Sequence, residues 1–191
     1  MCIRDSPITL ALITLSAGFV LMNISQVPFL AMQQTIIVDR LNVSTTTSAS
    51  AYIWLGLGSL LGSIIPAALI QRGVKIRILL QVISLLGIIA GLLFTWGDSL
   101  AIFSAAAILY GFWEMCTASL TAGRIFELVP ASSHAKTWGM TGVFGQSSFA
   151  IIGFTSQASN HSGINSILYF GLIALALHAI CEFIQARGIV K

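Results

Sequence analysis

Glu114 is the acidic residue nearest the centre of any long apolar run in the chain, here Leu100 to Gly123. A carboxylate in hydrocarbon is expensive unless it is paired, hydrated or protonated. Its chemistry is therefore proton exchange, or a structural bond to a polar partner on a neighbouring helix. Tyr110, Trp113, Thr117 and Thr121 form a stripe with it along one helix, and the two rings can stack on a sugar or apolar solute or simply pack. His178 and Glu182 stand four residues apart, within contact on one helical face. They read as a structural pair, with Glu182 in reach of Arg124 or Arg187. Ser147 and Ser148 in "GQSS", taken with His178, are the parts of an intramembrane serine hydrolase. A nucleophile also needs a base within reach and oxyanion donors. The sequence has no G-x-S-G form and no His/Asn cluster on an early helix, so an enzyme is a remote reading. No phosphate-binding glycine loop is present. Cys2, Cys116 and Cys181 have neither paired nor metal-like spacing, so no metal and no cofactor are expected.

The elements that position these residues follow from composition. The 191 residues are 57% hydrophobic and 8% charged, with a mean hydropathy of +0.95. A soluble domain carries about 25% charged residues, so lipid is the expected surrounding partner. Lys and Arg number 9 against 6 Asp and Glu, but they form no basic face interleaved with aromatics, which argues against nucleic acid. Crossing about 30 Å of hydrocarbon takes roughly 20 mostly apolar residues, and in lipid such runs must be helical. Six windows qualify, near residues 8–36, 48–70, 77–97, 99–123, 136–157 and 164–187. The expected fold is an all-α membrane protein of six transmembrane helices, one domain over residues 7–191. The polar start "MCIRDS", residues 1–6, reads as a non-native leader.

Basic residues orient this array. If the spans alternate, Arg72, Lys75, Arg77, Arg124, Lys136, Arg187 and Lys191 share one side, and Arg40 stands alone on the other. The positive-inside rule then places both termini in the cytoplasm, with a bacterial inner membrane as the expected location. Glycosylation-type triplets at Asn42 and Asn160 fall on the outer side, but Asn23 carries one inside a span, so the pattern decides little.

The six spans divide into two triplets. In each, the second helix is glycine-rich: Gly56, Gly58 and Gly62, then Gly139, Gly142 and Gly145. Such spacing makes a smooth face that another backbone can approach. The first helix of each triplet is the polar one. Ser16, Asn23, Gln26 and Gln33 lie near one face of the first span, which Pro28 interrupts. Asn23 and Tyr110 fall at similar depth, as the walls of a cavity would. Inverted triplets of this kind build many transporters.

With these features in place, residues 8 to about 188 resemble the carboxy-terminal half of a major facilitator superfamily transporter. The family's cytoplasmic signature between second and third helices has the form G-x-x-x-D-R-x-G-R-R. "PAALIQRGVK" is similar to it, with Gly73 and Lys75 matching and Pro66, Ile70 and Gln71 departing. "ELVPASSHAKTWGMTGVFGQSSFAIIGF" is similar to the family's passage from fourth to fifth helix. The resemblance implies two inverted three-helix repeats and a missing amino-terminal half. It implies a small-molecule substrate moved by alternating access, in a cavity walled by Asn23, Gln26, Gln33, Tyr110, Trp113, Glu114 and Thr117. Glu114 becomes the proton-coupling candidate. Gly58, Gly62, Gly139, Gly142 and Gly145 become the packing face toward the other half. Arg72, Gly73, Lys75 and Arg77 become the loop motif, orienting first and gating second. The alternative is a six-helix scaffold or receptor that transports nothing.

Overall fold

The computed structural model describes residues 7–158 and 163–187. Residues 1–6, expected to be a leader, with Cys2, and likewise Asn160 and Lys191 lie outside the described residues. The described chain is all helix and connecting turn: α1 (Pro7–Gln26), a π-helical turn (Val27–Ala31), α2 (Gln33–Leu41), α3 (Thr45–Gln71), α4 (Ile76–Trp96), α5 (Leu100–Leu128), α6 (Ala131–Ala158) and α7 (Ile164–Arg187).

Local chemistry sets these boundaries. Ser44 and Ser99 cap α3 and α5, their hydroxyls accepting the backbone N–H of Thr47 and Ile102. Asn42 closes α2 in the left-handed region at φ 51°. Gly73 closes α3 at φ +85°, with its N–H on Ile70 O and the Val74 N–H on Leu69 O. That pairing satisfies carbonyls the helix end would leave bare. In the first span, Pro28 has no N–H to give. The helix widens there, and Met32 N–H donates to Val27 O at 3.0 Å, five residues back. The expected first span is thus two helices joined by a π turn.

Among the described residues, five segments are long and apolar enough to cross a membrane: Leu10–Ala31, Thr45–Gln71, Ile76–Trp96, Leu100–Leu128 and Ile164–Ala186. The fifth expected span, residues 136–157, differs. It lies within the long helix α6, but Ser, Thr, Gln, Gly and Lys136 dilute its apolar content, and it does not join that set. Apolar side chains on α3 such as Ile53, Leu57, Leu60 and Ile64 face outward. In water so large an apolar surface is a liability; in lipid it is solvated.

α5 packs against α3 and α4, α7 against α1 and α4, and α1 against α6. The interior is aromatic at one level: Phe29, Phe94, Phe103, Tyr110 and Trp113 form a chain of ring contacts with centroids 5.1–6.3 Å apart. Arg40 fastens one end of the bundle, donating to Thr95 O on α4 and to Asn165 Oδ1 on α7.

Candidate functional site

Two polar seams run through this apolar bundle. In the first, α1 meets α5 and α6. Gln26 Nε2 donates to Glu114 Oε1 at 3.0 Å, and one turn away Ser25 Oγ and Tyr110 OH are 3.1 Å apart. Asn23 Nδ2 donates to Phe19 O at 2.8 Å, leaving its Oδ1 to accept Gln146 Nε2 at 3.2 Å. Ser16 and Thr141 share a hydrogen bond of 3.2 Å. The polar stripe expected on the first span therefore divides. Asn23 and Ser16 serve α6, whereas Gln26 serves the Glu114 carboxylate.

Gln33 follows the π turn, whose wider step turns later residues away from the face that Asn23 and Gln26 share. It is fully buried, and neither amide atom has a partner among the described residues. An unpaired buried amide costs about 1–3 kcal/mol.

Tyr110, Trp113 and Thr117 are buried in the packed interior, while Glu114 is half-buried. Tyr110 and Trp113 belong to the aromatic chain, and Trp113 also lies over Gly87 of α4, where a Cβ would come within 2.5 Å of the indole. Their aromatic faces are thus occupied by protein in this conformation. One opening, between α1 and α6, about 390 Å³, is lined by Leu12, Ile13, Ser16, Thr137, Met140, Thr141 and Phe144. None of the residues expected to wall the cavity lines it.

The glycines separate into two groups. Gly58 and Gly62 were expected to face a second half, but both lie under α5, where a Cβ would meet the carbonyl oxygens of Ile108 and Phe112 at 2.0 and 2.4 Å. Gly145 packs on Asn23 and Phe19 of α1. Gly139 and Gly142 meet nothing within 4 Å. Periodicity reveals a small-residue face but not the direction it points. The loop motif sits at the α3–α4 junction: Arg72 caps α3, Gly73 supplies the left-handed turn, and Lys75 and Arg77 open α4.

The second seam joins α1, α5 and α7. His178 Nδ1 lies 2.9 Å from Gly18 O, and 4.0 Å from Glu182 Oε1. Gln185 Nε2 donates to Glu182 Oε2 at 3.2 Å, and Arg124 Nε donates to Gln185 Oε1 at 3.1 Å. Arg124 Nη1 also pairs with Glu127 at 2.6 Å. The sequence places Glu182 within reach of Arg124; in the structure Gln185 carries that connection. Gln185 was missed, although it lies seven residues from His178 and three from Glu182, hence on their face. No hydrogen bond joins Ser148 to His178: the serine hydroxyl donates to Gly145 O at 2.6 Å, with Val20 O 3.5 Å away.

Searches against models of known protein families and against curated proteins find no match to the chain.

Proposed function

We propose that this chain is the carboxy-terminal six-helix half of a secondary transporter of the major facilitator type. It moves a small solute by alternating access, with Glu114 carrying the coupling proton. The observation that carries the reading is the Gln26–Glu114 hydrogen bond. It places a half-buried carboxyl between the interrupted first span and α5, two elements that a transporter half turns toward its substrate. The break at Pro28 supports the same reading, because discontinuous helices are where transporters expose backbone to solutes and ions. In this reading α6 is a transmembrane helix despite its polarity, and its open Gly139 and Gly142 face the partner half. The two triplets are inverted repeats, and the basic α3–α4 loop lies in the cytoplasm of a bacterial cell.

The test uses the complete gene product in proteoliposomes with an imposed pH gradient. Glu114→Gln keeps size and most hydrogen bonding but removes the titrating oxygen. Solute accumulation should be lost while solute exchange persists. Undiminished accumulation in a well-expressed Gln variant would remove Glu114 from coupling. A scaffold or receptor would show neither accumulation nor exchange in either protein.

A further inference from the structure

The second polar seam is not used by the reading above, and it is the most heavily buried ionisable cluster among the described residues. His178, Glu182 and Gln185 have no exposed surface, and Arg124 is 5% exposed. An arginine cannot shed its proton in a protein, and this one already has Glu127 at 2.6 Å. Gln185 has a fixed orientation, because its oxygen accepts from Arg124 Nε and its nitrogen must therefore donate to Glu182 Oε2. The Gly18 carbonyl can only accept, so the Nδ1 of His178 must be the protonated ring nitrogen. Two atoms remain able to take up a proton: His178 Nε2 and Glu182 Oε1. Both are buried without any hydrogen-bond partner among the described residues.

We propose that His178 and Glu182 form a proton-binding site in the α1–α5–α7 seam, separate from Glu114. One proton taken from water by the Nε2 of His178 converts neutral imidazole plus carboxylate into imidazolium plus carboxylate, with Glu182, held by Gln185, as the buried counter-charge. The pair passes from net −1 to net 0, and nothing is oxidised or reduced. Burying an uncompensated charge is costly, which gives the seam a reason to take up the proton. The carboxylate already draws support from Arg124 through Gln185, which gives it a reason to release the proton.

The surrounding elements leave few competitors. α1 carries no titratable side chain, and α4 contributes only Arg77 in its first turn. α5 brings Arg124 and Glu127 to this region, and α7 adds Cys181. The site is also sterically fitted to α1. A Cβ at Gly18 would lie 3.0 Å from Glu182 Oε1 and 3.4 Å from His178 Nδ1. Glu114 is one residue from Trp113 along α5 but turned to α1, whereas Trp113 is turned to α4 and α7.

Trp113 supplies a built-in reporter. Its ring meets that of His178 edge to face, with centroids 5.4 Å apart, and a protonated imidazole quenches indole emission. The full chain is reconstituted in lipid with Trp54→Phe, Trp96→Phe and Trp138→Phe, so that Trp113 alone emits. Its fluorescence should fall on acidification through a single one-proton transition. Glu182→Gln should displace the midpoint by about one pH unit or more, and His178→Gln should abolish the transition. Glu114→Gln should leave it in place, so the result is independent of whether the chain transports anything. A flat emission from about pH 4 to 10 with both residues intact would overturn the proposal without any variant having to fold. So would an undisplaced midpoint in a folded Glu182→Gln, or a transition that survives His178→Gln or disappears in Glu114→Gln.

Discussion

Replacing Gly58 by alanine should separate α3 from α5, and the size of the effect follows from the contact. The added Cβ would stand 2.0 Å from the Ile108 carbonyl oxygen and 2.8 Å from its carbon. Both are backbone atoms, so no rotamer change relieves the clash. Reaching 3.0 Å, the closest approach real Cβ atoms show, requires α3 to retreat by about an ångström. A gap of roughly 0.5–1 Å already removes a quarter to a half of a dispersion contact. In lipid such contacts are a main force between helices. Overpacking of this kind costs about 1–3 kcal/mol. Alanine regains roughly 0.5–1 kcal/mol over glycine in a helix interior, leaving a net loss of about 0–2.5 kcal/mol. Gly139→Ala is the matched control, since its Cβ meets nothing within 4 Å and only the helix gain remains. Equilibrium unfolding of the two variants in mixed detergent micelles, followed by circular dichroism, should place Gly58→Ala about 1–3 kcal/mol below Gly139→Ala. Equal stability would refute the assignment of Gly58 to the α3–α5 contact.

Gly73→Ala should destabilise the α3–α4 junction by roughly 1–2 kcal/mol through backbone strain alone, because no atom lies within 4 Å of the new Cβ; a smaller loss for Gly73→Asn in the same unfolding assay would identify the left-handed turn as the cause. In a background without native cysteines, Ser44→Cys should react with an impermeant thiol reagent applied outside cells and Val74→Cys should not; the opposite pattern would invert the proposed orientation.

Helix positions were legible because charge and hydropathy speak directly to the solvent. The last expected span, residues 164–187, coincides with α7. Ser44 and Ser99 fix helix starts by local capping, and Pro28 announced an interruption, though not that it would take the form of a π turn. α5 runs past its expected end at residue 123 to Leu128, because Arg124 and Glu127 pair three residues apart and make a further turn favourable. Facing was not legible. Asn23 and Gln26 lie three residues apart, yet one serves α6 and the other α5. The sequence sets the angle between two side chains but not the neighbour each one meets. The same limit sent Gly58 and Gly62 to an expected outer face when their partner was α5. The link through Gln185 was hidden for another reason: a glutamine becomes a relay only when an arginine from a distant helix fixes its amide.

Solute counterflow tests the central proposal most directly, because it reports alternating access whatever the coupling. Proteoliposomes holding the complete gene product are loaded with one unlabelled solute from a panel of sugars, amino acids and apolar drugs, then diluted into a trace of the same solute labelled. For one class of solute, label should rise transiently above its equilibrium level and then decay. If no member of the panel overshoots in protein that binds it, the chain is not part of a carrier.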